Sequence, residues 1–421
     1  MQTTLADFIR GTPEGDEAES ILRKCVHCGF CTATCPTYQL LGDELDGPRG
    51  RIYLVKQLLE GGPATARTQL HLDRCLTCRA CETTCPSGVR YGRLADIGRR
   101  IVEARVGRPL MERARRAALA FGLPRTRVFG ALLRLGQLLR PLLPGALKAQ
   151  VPVPAAPAGA WPAPRHARRM LALAGCVQPA LAPRINAAAA RVLDRAGISL
   201  IEAAGAGCCG AVRYHLNAQA AGLEDARRLI DAWAPFLDGP QAVEAIVMTA
   251  SGCGAMVREF DHLLRDDPVY RDRAARVSAM TRDLSEVLAD LPVEPGPARA
   301  AALRVAFHPP CTLQHGQQVR GVVEGVLARA GCELAPVADA HLCCGSAGTY
   351  SILQPALARE LRARKLGALQ SGLPAEIVTA NIGCLTHLAA GTQTPVRHWI
   401  ELLDDLQAPP PADAVVRVAR A

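Results

Sequence analysis

The chain of 421 residues is poor in aromatic side chains, has few lysines and lacks a long apolar run. Aromatic residues make up 4% of the sequence, and only four of its 49 basic residues are lysines. So few aromatic rings disfavour a surface that stacks single-stranded nucleic acid. The most apolar stretch, 128–147, is interrupted by arginine and proline, so we expect no membrane-spanning helix. The first ten residues contain Asp7 and no apolar core, so we expect no secretory signal and a cytoplasmic protein.

The net charge of +10 is concentrated in one segment of the chain. Residues 90–140 contain 13 arginines against three acidic residues, whereas the remainder is close to neutral. A basic segment of this kind docks an acidic partner or a membrane surface, or is simply a solvated helical face. We therefore expect no nucleic-acid partner. Peripheral attachment to the cytoplasmic face of the inner membrane remains an alternative to a purely cytoplasmic location.

Cysteine, in contrast, is abundant. The chain has 17 cysteines, an odd number in tight clusters, which favours metal or redox ligands over disulfides. Eight of them form two copies of Cys-x2-Cys-x2-Cys-x3-Cys-Pro, offset by 50 residues, and eight more form two copies of a longer repeat. Cys332 belongs to neither repeat, and we expect it to be a small buried hydrophobe.

The shorter motif has the spacing of two-cluster ferredoxins. Three thiolates of one run wrap a 4Fe–4S cluster, and the fourth reaches the neighbouring cluster. The spacing therefore predicts two sets of four ligands, each of which holds one cluster. The first quartet is Cys25, Cys28, Cys31 and Cys85, and the second quartet is Cys75, Cys78, Cys81 and Cys35. The alternatives are one cluster per run in cis, and a structural zinc site, which has no use for eight thiolates. Two adjacent clusters imply one-electron relay.

The longer motif reads Cys, 31 residues, Cys-Cys-Gly, about 40 residues, Cys. Its two copies are the middle cysteine set (Cys176, Cys208, Cys209 and Cys253) and the C-terminal cysteine set (Cys311, Cys343, Cys344 and Cys384). Each member follows a predicted buried strand, so each set should lie at the carboxyl edge of a parallel sheet, where open α/β sheets bind ligands. Both sets are candidates for a further cluster or a redox site, with inert buried thiols as the alternative.

Helical periodicity in the first part of the chain and strand–helix alternation afterwards predict an α+β multidomain protein. A helical two-cluster ferredoxin-type domain, residues 1–140, should precede two α/β domains with short parallel sheets, residues 169–290 and 301–408. Residues 141–168 are rich in proline and alanine and should form a linker. A second break is expected at 291–300 and a frayed tail beyond 408.

Two further segments invite a functional interpretation. The segment GDELDGPRGR, residues 42–51, is expected to dock a partner or cover a cluster, with a plain surface turn as the alternative. Gly205–Gly210 matches G-x-G-x-x-G after a predicted strand, but only its last glycine recurs in the second copy. We therefore expect no dinucleotide or other organic cofactor at that loop.

The order of these motifs resembles known redox subunits. The longer repeat resembles the cysteine-rich CCG domains of heterodisulfide reductase-type subunits, except that Met256 and His387 stand where a fifth cysteine would, so a non-cubane cluster is not expected. The segments LRKCVHCGFCTATCPTYQLLGDELDGPRGRIYL, DRCLTCRACETTCPSGVRY and HLCCGSAGTY resemble most closely the iron–sulfur subunits of glycolate oxidase (glycolate dehydrogenase).

That resemblance implies an electron-transfer subunit of a flavin-dependent 2-hydroxy acid dehydrogenase complex, which oxidises glycolate to glyoxylate, or D-lactate. Separate flavin-binding subunits would take the hydride, because no convincing flavin site is visible in this chain. The chain, with two 4Fe–4S clusters and no catalytic side chain, would pass single electrons toward quinone or another membrane acceptor, and alone would not turn over substrate. A third cluster in a CCG domain stays open, and the alternative function is a heterodisulfide reductase-like thiol–disulfide redox subunit.

Overall fold

The computed structural model describes residues 1–148, 151–293 and 303–408. Only the first three residues of the predicted break at 291–300 are among them, and the predicted tail beyond 408 lies outside them. Within these ranges the chain has a helical part followed by two parallel four-stranded sheets with helices, which confirms the α+β fold class. The predicted linker contains one short helix, Gly145–Lys148, and its residues 151–167 are without helix or strand.

The N-terminal region, residues 1–148, is built from short helices whose ends coincide with the cysteine motifs. Cys25 ends one helix, Cys35 precedes another that starts at Pro36, and Cys85 ends a third. Proline suits the first turn of a helix because its missing N–H would be unpaired there. The helices are Pro13–Lys24, Pro36–Leu41, Pro48–Leu59, Ala66–Asp73, Ala80–Thr84, Tyr91–Arg105, Leu110–Gly122, Thr126–Leu139 and Gly145–Lys148, with 3₁₀ turns at Phe30–Thr32, Glu44–Asp46 and Arg140–Leu142.

The middle repeat, residues 168–293, holds a parallel sheet of order β2-β1-β3-β4. Its strands are β1 Arg168–Ala172, β2 Ile198–Glu202, β3 Ile246–Met248 and β4 Thr281–Asp283. The central strands are apolar and pair with Leu171 opposite Ile246, both fully buried, as expected for a sheet covered by helices on both faces. Its helices are Gln178–Leu181, Arg184–Arg195, Ala211–His215, Gln219–Trp233, Ser251–Val257, Phe260–Leu263, Arg271–Met280 and Leu284–Ala289, with a 3₁₀ turn at Ala234–Phe236.

The C-terminal repeat, residues 303–408, repeats this topology with the order β6-β5-β7-β8. Its strands are β5 Arg304–His308, β6 Glu333–Leu334, β7 Glu376–Thr379 and β8 Val396–His398. The edge strands β4 and β8 are absent from the prediction, because each has only three residues with a basic residue in the middle. The helices are Val322–Arg329, Tyr350–Leu353, Pro355–Gln370, Ile382–Ala389 and Trp399–Gln407, with a π-helical turn at Thr312–Gly316.

The last helix of each repeat packs on a helix of the other repeat, across one shared core. The last helix of the middle repeat, Leu284–Ala289, packs on Val322–Arg329 of the C-terminal repeat, and the last helix of the C-terminal repeat, Trp399–Gln407, packs on Arg184–Arg195. Each of these last helices begins with a capping box. One apolar cluster runs through both sheets, so part of the apolar surface of each repeat is buried against the other, and each repeat has a smaller cluster of its own.

Two amphipathic helices of the N-terminal region, Leu110–Gly122 and Thr126–Leu139, lie across the repeats and contain no buried residue. Arg115 donates a hydrogen bond to the backbone carbonyl of Ile352, and Arg213 donates one of 3.0 Å to that of Ala120. In the part of the chain that the structure describes, no helix combines the length and the apolarity needed to cross a bilayer.

Candidate metal centres

The two ferredoxin-like loops share an unusual backbone conformation. The residues before and after the second cysteine of each run have positive φ: His27 at 57° and Gly29 at 88° in the first loop, and Thr77 at 52° and Arg79 at 60° in the second. A β-branched residue such as Thr77 avoids this region unless its surroundings impose it, and such strain concentrates at functional sites. The two loops therefore share one local backbone conformation around their second cysteine.

The first quartet lines one cavity of about 430 Å³. Cys25, Cys28 and Cys31 form its walls together with Cys85 from the second loop, whereas Cys35 is not among the lining residues. Cys81 closes the inner end of the same cavity and so places the second quartet beside the first. Cys85 of the second run thus shares one space with the first three cysteines of the first run.

The segment 42–51 covers this cavity and is not a plain surface turn. Pro48 and Arg49 line the cavity opposite the cysteines. Asp46 is fully buried and accepts hydrogen bonds or ion pairs from Arg51, Arg74 and the ring of His71. A buried carboxylate needs such partners, because an isolated one would be too costly to desolvate. The network fastens the covering segment between the two cysteine loops.

The second quartet lies deeper than the first. Cys35, Cys75 and Cys81 are buried, and Cys78 is half-buried. Cys81 is close enough to Cys78, Cys75 and Cys35 for their charges to interact. The Sγ atom of Cys35 lies 3.4 Å from the hydroxyl of Thr37, which Arg51 also contacts.

Electrostatics differ between the two quartets. Burial, together with the neighbouring thiols of Cys25 and Cys85, raises the pKa of Cys31 to about 11. Burial alone would also raise the pKa of Cys75, but the guanidinium groups of Arg51 and Arg99 outweigh it and lower this pKa below the usual thiol value. A metal centre offsets the cost of gathering four thiolates, since metal binding and thiol deprotonation are linked.

The donor set fits iron–sulfur clusters. The first quartet lines one space, Cys81 lies at that space and neighbours Cys35, Cys75 and Cys78, and eight thiolates at ferredoxin spacing would hold two 4Fe–4S clusters. Such clusters supply one-electron transfer. The chain contributes the four thiolates of each group, a buried guanidinium at Arg51 and the covering segment.

The middle cysteine set follows the carboxyl ends of its strands and forms a line of neighbours. Cys208 is within hydrogen-bonding reach of both Cys176 and Cys209, and Cys209 in turn reaches Cys253. Hydrogen bonds from Cys176 and Cys209 lower the pKa of Cys208. Cys208 lines a broad space of about 1230 Å³ that is bounded on its far side by residues 117–125.

The C-terminal cysteine set repeats this line and meets the second quartet. The Sγ atoms of Cys311 and Cys343 lie 3.8 Å apart, and Cys343 and Cys384 both neighbour Cys344. Cys78 of the second quartet packs in one cluster with Cys311 and Cys343. Such a contact between the N-terminal region and this set, between residues more than 230 positions apart, is not predicted by the motif spacing. Cys332, by contrast, is buried in the shared apolar core.

A histidine that the sequence reasoning missed lies within the C-terminal set. His308, the last residue of β5, places a ring nitrogen within 4.8 Å of the sulfurs of Cys344 and Cys384. The signal for it was present in the His-Pro-Pro-Cys sequence that leads into Cys311. His387, in the place of a fifth cysteine, has its Nε2 atom 3.2 Å from the carbonyl of Ala358. Met256 is buried in the apolar core of the middle repeat.

Comparison with known proteins matches these regions. A family model described as a 4Fe-4S dicluster domain matches residues 21–89, and one described as a cysteine-rich domain matches residues 170–258 and 305–389. The glycolate oxidase iron-sulfur subunit of Escherichia coli (strain K12) is 58% identical over 404 residues, which cover 96% of this chain and 98% of that protein. The chain belongs to the glycolate oxidase iron–sulfur subunit family.

More distant relatives extend the comparison. A probable glycolate oxidase iron-sulfur subunit of Bacillus subtilis (strain 168) is 31% identical and covers 90% of both chains. A lactate utilization protein A of Geobacillus kaustophilus (strain HTA426) is 24% identical over 52% of this chain and 92% of its own length. The predicted family, with a ferredoxin-type domain and CCG domains, is confirmed. As a member of this family the chain is an iron–sulfur electron-transfer subunit of an oxidoreductase complex that has a separate catalytic subunit.

Proposed function

We propose that the chain relays single electrons from a flavin-binding catalytic partner toward quinone or another membrane acceptor. The partner oxidises a 2-hydroxy acid, glycolate to glyoxylate, with D-lactate as a second candidate substrate. Two 4Fe–4S clusters on the crossed quartets carry the electrons, and the middle and C-terminal cysteine sets are candidates for one further centre. The units are a ferredoxin-type domain of residues 1–140 and two CCG domains of residues 169–290 and 301–408, joined by the linker 141–168.

The placement of the two quartets supports this relay most directly. Cys28 of the first quartet is exposed at the surface, and Cys81 brings the second quartet next to the first. The second quartet in turn reaches a separate cavity of about 470 Å³ through Cys78, between the N-terminal region and both repeats. Electrons entering at Cys28 would therefore pass inward and leave on another side of the protein.

The surface around Cys28 suits a protein partner. Val26 and Phe30, which flank Cys28, are 69% and 61% exposed, and Tyr53 nearby is 46% exposed. Large apolar side chains in such a patch are the usual centre of an interface. The flavin-binding partner would dock here and bring its flavin close to the first cluster.

A second surface suits peripheral attachment to the inner membrane. Residues 110–142 expose several leucines, among them Leu110, Leu138 and Leu142 at 77–81%, next to the arginines of the same helices. A basic amphipathic helix with such a face binds anionic lipid surfaces without spanning them.

The relay is tested with the purified chain and with the reconstituted complex. The chain alone should contain about eight irons and show no glycolate oxidation, and flavin subunits should restore electron flow to an artificial acceptor. Val26→Glu and Phe30→Glu should lower that flow with iron content unchanged, whereas Leu373→Glu, at an exposed leucine of the C-terminal repeat, should not. Turnover by the flavin-free chain, or zinc in place of iron in the quartets, would overturn the proposal.

The crossed ligand assignment has its own test. Cys25→Ser and Cys85→Ser should damage the same cluster, because both thiolates belong to the first quartet, and Cys75→Ser should damage the other. Electron paramagnetic resonance of the reduced variants distinguishes the two clusters. Loss of one and the same cluster in Cys85→Ser and Cys75→Ser, with the Cys25 cluster intact, would show that each run binds its own cluster.

A further inference from the structure

His308 is buried in a way that its own repeat does not explain. Its side chain has no solvent exposure, and neither ring nitrogen has a hydrogen-bond partner within the described residues. Buried polar groups are almost always paired, because an unpaired one loses its interactions with water and gains nothing in return. The imidazole therefore calls for a binding partner that the protein atoms do not provide.

The atoms that His308 faces are thiol sulfurs. One ring nitrogen and the Sγ atoms of Cys344 and Cys384 lie within 4.8 Å of one another, and all three residues are buried. Ligands of one tetrahedral zinc ion are about 3.5–3.8 Å apart, given Zn–S of about 2.3 Å and Zn–N of about 2.0–2.1 Å. The thiolates of a cubane cluster bind separate irons and are spread more widely. Three donors this close fit a single ion.

Two polar groups contact the thiols at this point. The side-chain amide of Asn381 lies 3.6 Å from the Sγ atom of Cys384, and the backbone N–H of Ser346 donates to Cys344. Cys343 lies within hydrogen-bonding reach of Cys344. Outer contacts of this kind orient ligands and hold them ready for the metal.

The middle repeat lacks this arrangement. The offset of 135 residues that superimposes Cys176 on Cys311 places Leu173 at the position of His308. Leu173 is buried among apolar side chains of the middle repeat. The metal-binding set is thus specific to the C-terminal repeat and is not a general consequence of the Cys-Cys-Gly motif.

We propose that the C-terminal repeat binds one zinc ion through His308, Cys344 and Cys384. Zinc accepts mixed imidazole and thiolate ligands in a tetrahedral arrangement. The ion holds the carboxyl ends of β5 and β7 together with the Cys-Cys-Gly turn. The ion has a structural role. Its ligands are none of the eight N-terminal cysteines, so the proposed zinc site does not depend on the proposed electron relay.

The test measures zinc and iron per chain in the full-length protein purified anaerobically. Wild type should contain about one zinc besides its cluster iron. His308→Leu, which introduces the residue found at the matching position of the middle repeat, should lose this zinc and retain the iron of the quartets. His308→Cys should keep the zinc, because it supplies a thiolate. The control His387→Gln should also keep it, since His387 contacts a backbone carbonyl.

Cobalt provides a second readout that does not depend on the stability of one variant. Cobalt added to metal-depleted wild type should give the visible absorption of a tetrahedral thiolate site, which His308→Leu lacks and His308→Cys restores. Wild type without zinc, equal zinc in wild type and His308→Leu, or four additional irons that depend on His308 would each overturn the proposal.

Discussion

The two repeats share a sheet order and a cysteine spacing but differ in the main contacts that they make with the N-terminal region. The middle repeat uses charges: Glu259 pairs with Arg79 and Arg93, and Glu17 of the N-terminal region pairs with Arg265. The C-terminal repeat uses apolar and thiol contacts, in a cluster that includes Leu76, Cys78, Cys311, Cys343 and Tyr350.

The difference shows how a duplicated unit takes on two roles. Apolar contacts on one side of Cys78 lower the solvent exposure of the second quartet, and solvent exposure is one of the factors that set a cluster's reduction potential. Ion pairs at the rim of the middle repeat fix its position but respond to salt and pH. One copy therefore shapes the environment of a cluster, and the other fastens the assembly.

The largest effect should be common to both repeats, at the glycine of each Cys-Cys-Gly turn. A Cβ at Gly210 would lie 2.3 Å from the carbonyl oxygen of Gly222, and one at Gly345 would lie 2.7 Å from that of Ala358; both glycines have φ near +90°. Gly210→Ala and Gly345→Ala should each lower the free energy of unfolding by about 3 kcal/mol or more. Thermal denaturation measures this.

The control for that prediction is Gly348→Ala. Gly348 also has positive φ, but a Cβ there meets nothing within 4 Å. It should cost only about 1 kcal/mol, from backbone conformation alone. A large loss in one repeat and none in the other would show that the turns are not equivalent.

The next prediction distinguishes the apolar contact of the C-terminal repeat with the N-terminal region from the charged contact of the middle repeat. Leu76 is 6% exposed and packs against the C-terminal repeat, so Leu76→Ala should cost about 2–4 kcal/mol through the cavity it leaves. The loss should be the same at low and high salt, because the contact is apolar. Leu373→Ala, at a side chain 85% exposed, is the control and should cost almost nothing. Urea denaturation at two ionic strengths tests both, and a strong salt dependence for Leu76→Ala would contradict the comparison.

Glu259→Gln should behave in the opposite manner. It leaves Arg79 and Arg93 without their carboxylate at an interface where all three side chains are less than 20% exposed. We expect a loss of about 2 kcal/mol at low ionic strength, smaller at 1 M salt, where the Debye length is about 3 Å. The same denaturation experiment measures it. An effect that is unchanged by salt would mean that Glu259 acts by packing.

The smallest effect depends on pH. His262 and Arg265 lower the pKa of Glu17 to about 2, from an ordinary value of 4.5. Because the folded-state pKa is depressed, this contribution to stability is present above pH 4.5 and is lost as the pH falls toward 2. Glu17→Gln should therefore cost about 1 kcal/mol at pH 7, after allowance for solvent screening, and almost nothing at pH 2. A pH series of thermal melts tests the sign, and an effect that grows on acidification would contradict it.

Much of this protein follows from its sequence. The Cys-x2-Cys-x2-Cys-x3-Cys spacing determines which sulfurs share a loop, because the seven residues from the first to the third cysteine can wrap only one cluster. The apolar runs of β1, β3, β5 and β7 identify the buried strands, and the family is recognisable from the two kinds of cysteine motif. The edge strands β4 and β8 escaped prediction because three residues carry too little periodicity.

Only the tertiary structure decided the rest. The packing of Trp399–Gln407 on Arg184–Arg195, the contact of Cys78 with Cys311 and the ion pair of Glu259 with Arg79 join residues 180 or more positions apart. No local pattern encodes such contacts, because they depend on how whole faces pack. His308 shows this most clearly. As one residue in a sequence it is an ordinary strand-end histidine, and only folding places its ring among two thiols of the Cys-Cys-Gly site.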